Sequence, residues 1–267
     1  MGTEKRQRQK EGHRLQKEEL RRWERRRAAR RRAIFLGIAV VAFFAIFFVV
    51  SLIAGDDEEG GEEAASTTTT PPTTSVGPTE CPRPNGRSPR TTTFAGPPPM
   101  CIDPAKSYTA VFDTTEGEIR VDLDTENTPN TVNNFVVLAR YHYYDDNPVF
   151  RTDPSIGIIQ AGGAGPQADP GYTIPDEGDG YTYEPGQLVM ARTDAPNSAS
   201  AQFFFVGTDA ASSLDAQGTY VVFGNTDQAG IDVINAILDL HEDDPTNPLG
   251  GAPSEPVTIN SVTIEES

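Results

Sequence analysis

Apolar residues follow three different rhythms along the chain. From 33 to 55, AIFLGIAVVAFFAIFFVVSLIAG carries no charge and no proline. At about 1.5 Å per residue, a helix of that length covers a hydrocarbon core of about 30 Å. The stretch therefore predicts one transmembrane helix over 33–55, since a cleaved signal peptide has a shorter apolar run behind a shorter basic lead. From 56 to 99, Thr, Pro, Gly, Ser and Glu dominate, as in STTTTPPTTS. Such a composition cannot build a core and predicts a disordered linker with a root-mean-square span of about 40 Å. From Tyr108 onward the rhythm becomes that of a folded domain. YTAVFDTTEGEIRVDL alternates apolar and polar positions around TTEGE, which predicts a β-hairpin. TPNTVNNFVVLARYHYY sets Val132, Phe135, Val136 and Ala139 on one helical face, behind Thr128 as cap and Pro129 in the first turn. GIIQ, GQLVMAR, AQFFFVG and TYVVFGN predict short strands between Gly/Pro/Asp/Ser loops. DQAGIDVINAILDL predicts a second helix with Ile231, Ile234 and Leu238 on one face, and EPVTINSVTIEE a final strand. Many strands with two helices predict an antiparallel barrel or sandwich whose open ends the helices cover.

Charge separates the same zones. Residues 1–32 hold 14 Lys+Arg against 5 Asp+Glu, and the rest of the chain 8 against 34, so the formal charge of −17 joins +9 to −26. RRWERRRAARRR before the apolar run and GDDEEGGEE after it place the N-terminus in the cytoplasm and the bulk of the chain outside, as a single-pass cell-membrane protein. Topology accounts for the basic tail; anionic lipid headgroups or nucleic acid are the other uses such charge finds. Cys81 and Cys101 are the two cysteines. On the outer side they read as one disulfide closing a loop of about 20 residues, the alternative being two free thiols. The organisation is then a basic tail (1–32), a membrane helix (33–55), a linker (56–99), a Cys-stapled collar overlapping its end (81–107) and a folded domain (108–267).

Most catalytic chemistries find no residues here. Beyond the apolar run stand two histidines, His142 and His241, both at predicted helix ends, and a zinc site needs three or four ligands at recognisable spacing. No G-x-S-x-G elbow accompanies them. QAGGAGPQADPG lacks the Lys-Ser/Thr of a phosphate loop, and DEGDGYTYE has too few spaced oxygen ligands for calcium. No metal and no cofactor is expected. Of the eight cations after residue 32, Arg83, Arg87, Arg90 and Lys106 belong to the linker and collar, Arg120 to a hairpin strand and Arg140 to a helix end. Arg151 and Arg192 remain, each at the border of an apolar strand. A surface salt bridge is the ordinary explanation for either alone.

Taken in order, TTEGEIRVDLDTENTPNTVNNFVVLARYHYYDDNPVFR, GIIQAGG, GYTIPDE, LVMARTDAPNSASAQFFFVG and YVVFG resemble the cyclophilin family of peptidyl-prolyl cis-trans isomerases over about residues 108–264, and MARTDAPNSASAQFFF its bacterial members. The resemblance implies a mainly β fold, a closed eight-stranded antiparallel β-barrel capped by two α-helices. It implies Arg151 as the catalytic arginine, and Gln160, Met190, Ala191, Arg192, Gln202, Phe204, Leu214 and Tyr220 as substrate-binding residues, with Phe204 flooring the proline pocket. Phe150 stands where the family has histidine. The interval from Arg151 to Gln160 is one residue longer than in the family, so Ile156 or Ile158 takes the place of the pocket phenylalanine. Ser213 lies near the position of the cyclosporin-binding tryptophan, so weak cyclosporin binding is expected. The implied activity is isomerisation of X-Pro bonds in proteins folding outside the cell membrane. The implied partners are proline-containing polypeptides and, through the N-terminal helix, the membrane, without nucleic acid. The alternative is a weak or inactive module of the same fold that binds proline-containing peptides.

Overall fold

A computed structural model describes residues 79–244 and 250–267. The expected basic tail, the membrane helix 33–55 and the linker to residue 78 lie outside the described residues. Among the described residues no helix is long and apolar enough to cross a membrane.

The period-two segments form one sheet. Its strands are β1 (Tyr108–Thr114), β2 (Gly117–Leu123), β3 (Asn147–Pro148), β4 (Arg151–Asp153), β5 (Ile158–Ala161), β6 (Gln187–Met190), β7 (Phe203–Val206), β8 (Val222–Thr226) and β11 (Thr258–Glu266). They pair in the order β3-β11-β1-β2-β8-β6-β7-β5-β4, each pair antiparallel. Nine strands replace the expected eight, because the segment 147–153 bends at Val149 and Phe150 and is counted twice, as β3 and β4. A small hairpin of β9 (His241–Glu242) and β10 (Ala252–Pro253) lies apart from this ladder. The predicted hairpin closes between Thr114 and Gly117, where the Thr114 hydroxyl donates to the Gly117 carbonyl at 2.7 Å. Gly117 has φ of +137°, a region that side chains disfavour.

Two helices, α1 (Pro129–Arg140) and α2 (Gln228–Asp239), form where the 3.6-residue period placed them. Val132, Phe135, Val136 and Ala139 are buried as expected. The expected Thr128 cap is corrected: its side chain caps no helical N–H and instead donates to the Asp124 carbonyl at 2.9 Å. Glu177, far along the chain, takes the capping role, accepting from the backbone N–H groups of Asn130 (2.9 Å) and Thr131 (2.6 Å). A carboxylate on two orphan donors at a helix N-terminus suits both the hydrogen bonds and the dipole.

The core is aromatic. Phe112, Phe135, Phe203 and Phe205 meet in tilted or edge-on pairs, with Tyr144 and Phe223 against Phe135. Each such side chain contributes about 1.5–3 kcal/mol by leaving water. Residues 79–107 also pack against the domain, with Phe94 and Ile102 buried, and Cys81 and Cys101 are joined by a disulfide. The linker reading of 56–99 therefore gives way to packed chain by residue 79, since Phe94 supplies an apolar anchor that the local composition hides.

Candidate active site

Alternation along β5, β6 and β7 sorts their side chains into two sets. Phe203 and Phe205 point into the core, whereas Phe204 and Val206 join a second apolar cluster with Ile158, Val189, Tyr183 and Ala211. Ile156, Ala191, Leu214 and Tyr220 pack against that cluster while keeping part of their surface exposed. Phe204 lies beneath Tyr220, edge-on with ring centroids 5.7 Å apart. Tyr220 is fixed from below: its backbone N–H donates to the Tyr183 hydroxyl (2.9 Å), and that hydroxyl donates to the Tyr220 carbonyl (3.1 Å). Burial pushes the Tyr183 phenol up to about 12, so it stays neutral.

Beside this apolar surface the polar groups form a chain. Arg151 on β4 and Gln160 on β5 are cross-strand partners. The Arg151 Nη1 donates to Gln160 Oε1 at 3.0 Å, Gln160 Nε2 donates to Gln202 Oε1 at 3.1 Å, and Gln202 Nε2 donates to the Pro166 carbonyl at 3.1 Å. Asp153, two residues along β4 on the same face, accepts from Arg151 Nη2 at 2.9 Å. Burial alone pushes the Asp153 carboxyl up, but hydrogen bonds from Ser155 and Arg151 outweigh it and hold the group below its ordinary value of 3.8. The guanidinium is thus pinned at both ends of its fork. Beyond Gln202 opens a groove of about 530 Å³ lined by Gln160, Gln202, Ala191, Arg192, Asp169 and Ser198, among others. Arg192 does not reach freely into it, for its Nη1 is paired with Asp176.

Likeness to known proteins bears on what this arrangement is. Residues 109–264 match the family described as cyclophilin type peptidyl-prolyl cis-trans isomerase/CLD. The chain belongs to this family. It is 33% identical over 172 residues to peptidyl-prolyl cis-trans isomerase cyp18 of Streptomyces antibioticus, covering 58% of this chain and 98% of that one. Peptidyl-prolyl cis-trans isomerase B of Escherichia coli gives 33% over 171 residues, with the same coverage. A cyclophilin-type isomerase of Cryptosporidium parvum, known from its crystal structure, shares the fold with a TM-score of 0.51 at 23% identity, over 60% of this chain and 99% of its own. The match to peptidyl-prolyl isomerase cwc-27 of Neurospora crassa is shorter, 36% over 77 residues, and spans 29% of this chain and 14% of that longer protein.

As a cyclophilin the chain carries the peptidyl-prolyl isomerase activity of the family, and most of the site residues expected from its sequence lie together. Arg151, Gln160, Gln202, Ala191, Phe204, Leu214, Tyr220, Ile156 and Ile158 share the outer face, with Arg192 at its edge. Met190 is the exception: its side chain, 1% exposed, packs in the inner core, because β6 alternates and only its neighbours Val189 and Ala191 face outward. The extra residue between Arg151 and Gln160 does not separate them. A turn over 154–157 absorbs it, with Ser155 donating to Asp153 Oδ1 and Gly157 at φ +63°. Ser213 is exposed and spends its hydroxyl on the Ala210 carbonyl. Sequence reasoning missed Asp153, Asp176 and Tyr183. The Arg-x-Asp spacing on a strand would have disclosed the first, whereas nothing local connects Asp176 to Arg192 or Tyr183 to Tyr220.

Proposed function

We propose that this cyclophilin accelerates X-Pro isomerisation in polypeptides folding outside the cell membrane, anchored there by residues 33–55. The observation that carries the catalytic part is Arg151, held by Gln160 and Asp153 beside the apolar surface floored by Phe204. The barrier to X-Pro rotation, about 18–20 kcal/mol, comes from resonance between nitrogen and carbonyl. Twisting the bond ends that resonance and leaves a pyramidal prolyl nitrogen able to accept a hydrogen bond that the planar ground state cannot. A donor aimed at that nitrogen stabilises the transition state selectively. Arg151 is such a donor at any working pH, since a guanidinium stays charged and its fork is planar. In this reading Phe204, Leu214, Tyr220 and Ile156 or Ile158 hold the proline ring, and Gln160, Gln202 and the backbone at Ala191 and Arg192 hold the flanking peptide. No proton is transferred, so no acid/base pair is required. A barrel closed through the bent segment 147–153 is the finer reading of the sheet, supported by the Val149 N–H on the Val257 carbonyl (3.0 Å) and the Phe150 N–H on the Gln160 carbonyl (3.1 Å).

Dipeptide Ala-Pro was present in a second crystal structure of the Cryptosporidium protein, and a proline-containing peptide is the substrate class proposed here too. With a serine where an indole would stand, cyclosporin binds weakly. The extracytoplasmic placement, and a bacterial origin, are supported by the apolar run, the charge on its two sides, the bacterial-type motif and the disulfide, which persists in oxidising compartments. The rival is a peptide-binding module of low activity, favoured by the Asp153 ion pair, which occupies part of the donor fork. A protease-coupled isomerisation assay on the full-length chain separates the two, as absence of acceleration leaves only the rival. Proteolysis of sealed right-side-out vesicles tests the topology: digestion of residues beyond 55 is expected, and protection of them contradicts it.

A further inference from the structure

The family match begins at residue 109, yet the preceding collar is held against the domain at a place that bears on the groove. Within SPRTTTFAGPPP the sequence supplies one large apolar side chain, Phe94, and the structure buries it to 5% exposure. Its ring meets Tyr141 and Tyr172 edge-on, at centroid distances of 5.4 and 6.2 Å. Its backbone N–H donates to the Pro170 carbonyl at 2.8 Å. Its own carbonyl stands so close to Gly171 that a Cβ there would lie 2.6 Å away, and Gly171 has φ of +101°. Only glycine allows that approach without strain. Tyr172 is fixed in turn by donating to Asn134 Oδ1 at 2.7 Å.

Pro170–Tyr172 do not line the groove themselves but join the residues that do, Pro166, Gln167, Ala168 and Asp169 before them and Thr173 after, so 166–173 is one continuous wall segment. The wall has no regular secondary structure. Such a segment depends on its anchors for order, because it has few main-chain bonds of its own. One anchor is Gln202, which holds the Pro166 and Ala168 carbonyls and is linked through Gln160 to Arg151. The other is Phe94. The collar that presents it is closed by the Cys81–Cys101 disulfide and tied to α1 by the Cys101 N–H donating to Asn133 Oδ1 at 2.7 Å.

We propose that Phe94 is a positioning residue for the isomerase: through it the collar keeps the wall 166–173 in the shape that grips peptide next to the proline. This rests on the reading of the groove as the substrate flank. Phe94 touches no reacting atom, so it acts on binding that is equal in ground and transition states, and KM should move while kcat does not.

The test uses the full-length chain with Phe94→Ala and Phe94→Leu, measured for X-Pro isomerisation and for amide hydrogen exchange. Phe94→Ala is expected to raise KM about threefold to tenfold with kcat within about twofold, and to speed exchange across 166–173 while β1 and β2 keep their protection. Phe94→Leu should recover most of both. If Phe94→Ala does not fold, the double variant Cys81→Ser with Cys101→Ser unstaples the collar and should shift both readouts the same way. Unchanged exchange in the wall overturns the proposal. Faster exchange with KM unchanged also overturns it and removes the groove from the site, whereas a wild-type chain without activity overturns the isomerase reading beneath it.

Discussion

Arg151 owes its orientation to two neighbours of different origin. Gln160 stands opposite it by strand register, and Asp153 shares its face by the two-residue period. If Asp153 organises the guanidinium, Asp153→Asn lowers kcat/KM by about threefold to tenfold, each 1.36 kcal/mol being tenfold in rate. If it competes for the donor, the same variant is faster, and steady-state kinetics with an X-Pro peptide read the difference. The sign of the pH effect follows from the direction of the shift. A carboxyl held below its ordinary value of 3.8 keeps its partner fully above that value and releases it only as pH falls through the lowered one. Between about pH 6 and 8 the rate is therefore expected to be flat, and a step near 6.5, the ordinary histidine value, contradicts the assignment of roles. Phe204→Ala removes the floor of the apolar surface, and a rise in KM of at least tenfold is expected, about 1.4 kcal/mol or more of lost contact. Arg151, Gln160 and Phe204 were legible because their motifs are local. Met190 misled because a motif states which residues are adjacent in sequence, whereas the face is decided by alternation within β6.

Among elements, periodicity told most and caps least. Both helices and the β1–β2 hairpin lie where the 3.6- and 2-residue patterns place them, since burial of one face is enough to select each. The start of α1 was different. Thr128 and Pro129 form a good local signal, but Thr128 is committed to the Asp124 carbonyl and Glu177 supplies the cap through tertiary structure. Glu177→Ala is accordingly expected to cost about 1–2 kcal/mol, which thermal melting should show as a fall of roughly 2–8 °C in Tm for a domain of this size. A melting temperature equal to that of the wild type would mean that water or another side chain caps the helix equally well. The turn over 154–157 makes a related point. The interval from Arg151 to Gln160 is one residue longer than the family pattern, yet β4 and β5 pair in register across it, because turns accept length changes that ladders do not.

For the molecule as a unit, three compositional zones were plain in the sequence, but the reach of the collar was not. Its Thr/Pro/Gly composition resembles the linker before it, and what distinguishes it is two cysteines that pair with each other and a single phenylalanine whose ring partners, Tyr141 and Tyr172, lie far off in sequence. The disulfide closes a loop with a separation of 20 residues. In the chain-entropy account it contributes about 3 kcal/mol, so reduction should lower Tm by several degrees, and an unchanged melting curve would contradict it. At the other end of the chain Glu266 joins Lys106 and the buried Arg140. Hydrogen bonds from Lys106 and then Arg140 hold its carboxyl below the ordinary 4.5. By the same sign rule, stability from this cluster is complete above that value and fades as pH falls through the lowered one. In the proposed mechanism Arg151 accelerates X-Pro rotation without being needed for peptide binding. NMR exchange spectroscopy on an X-Pro peptide, with the full-length wild type and Arg151→Ala, tests it most directly. The wild type is expected to shorten the uncatalysed 10–100 s interconversion, and Arg151→Ala to lose roughly tenfold to a hundredfold of that rate, one charge-assisted hydrogen bond, while peptide affinity stays within about threefold. An Arg151→Ala chain as fast as the wild type, or a wild type that accelerates nothing, would contradict it.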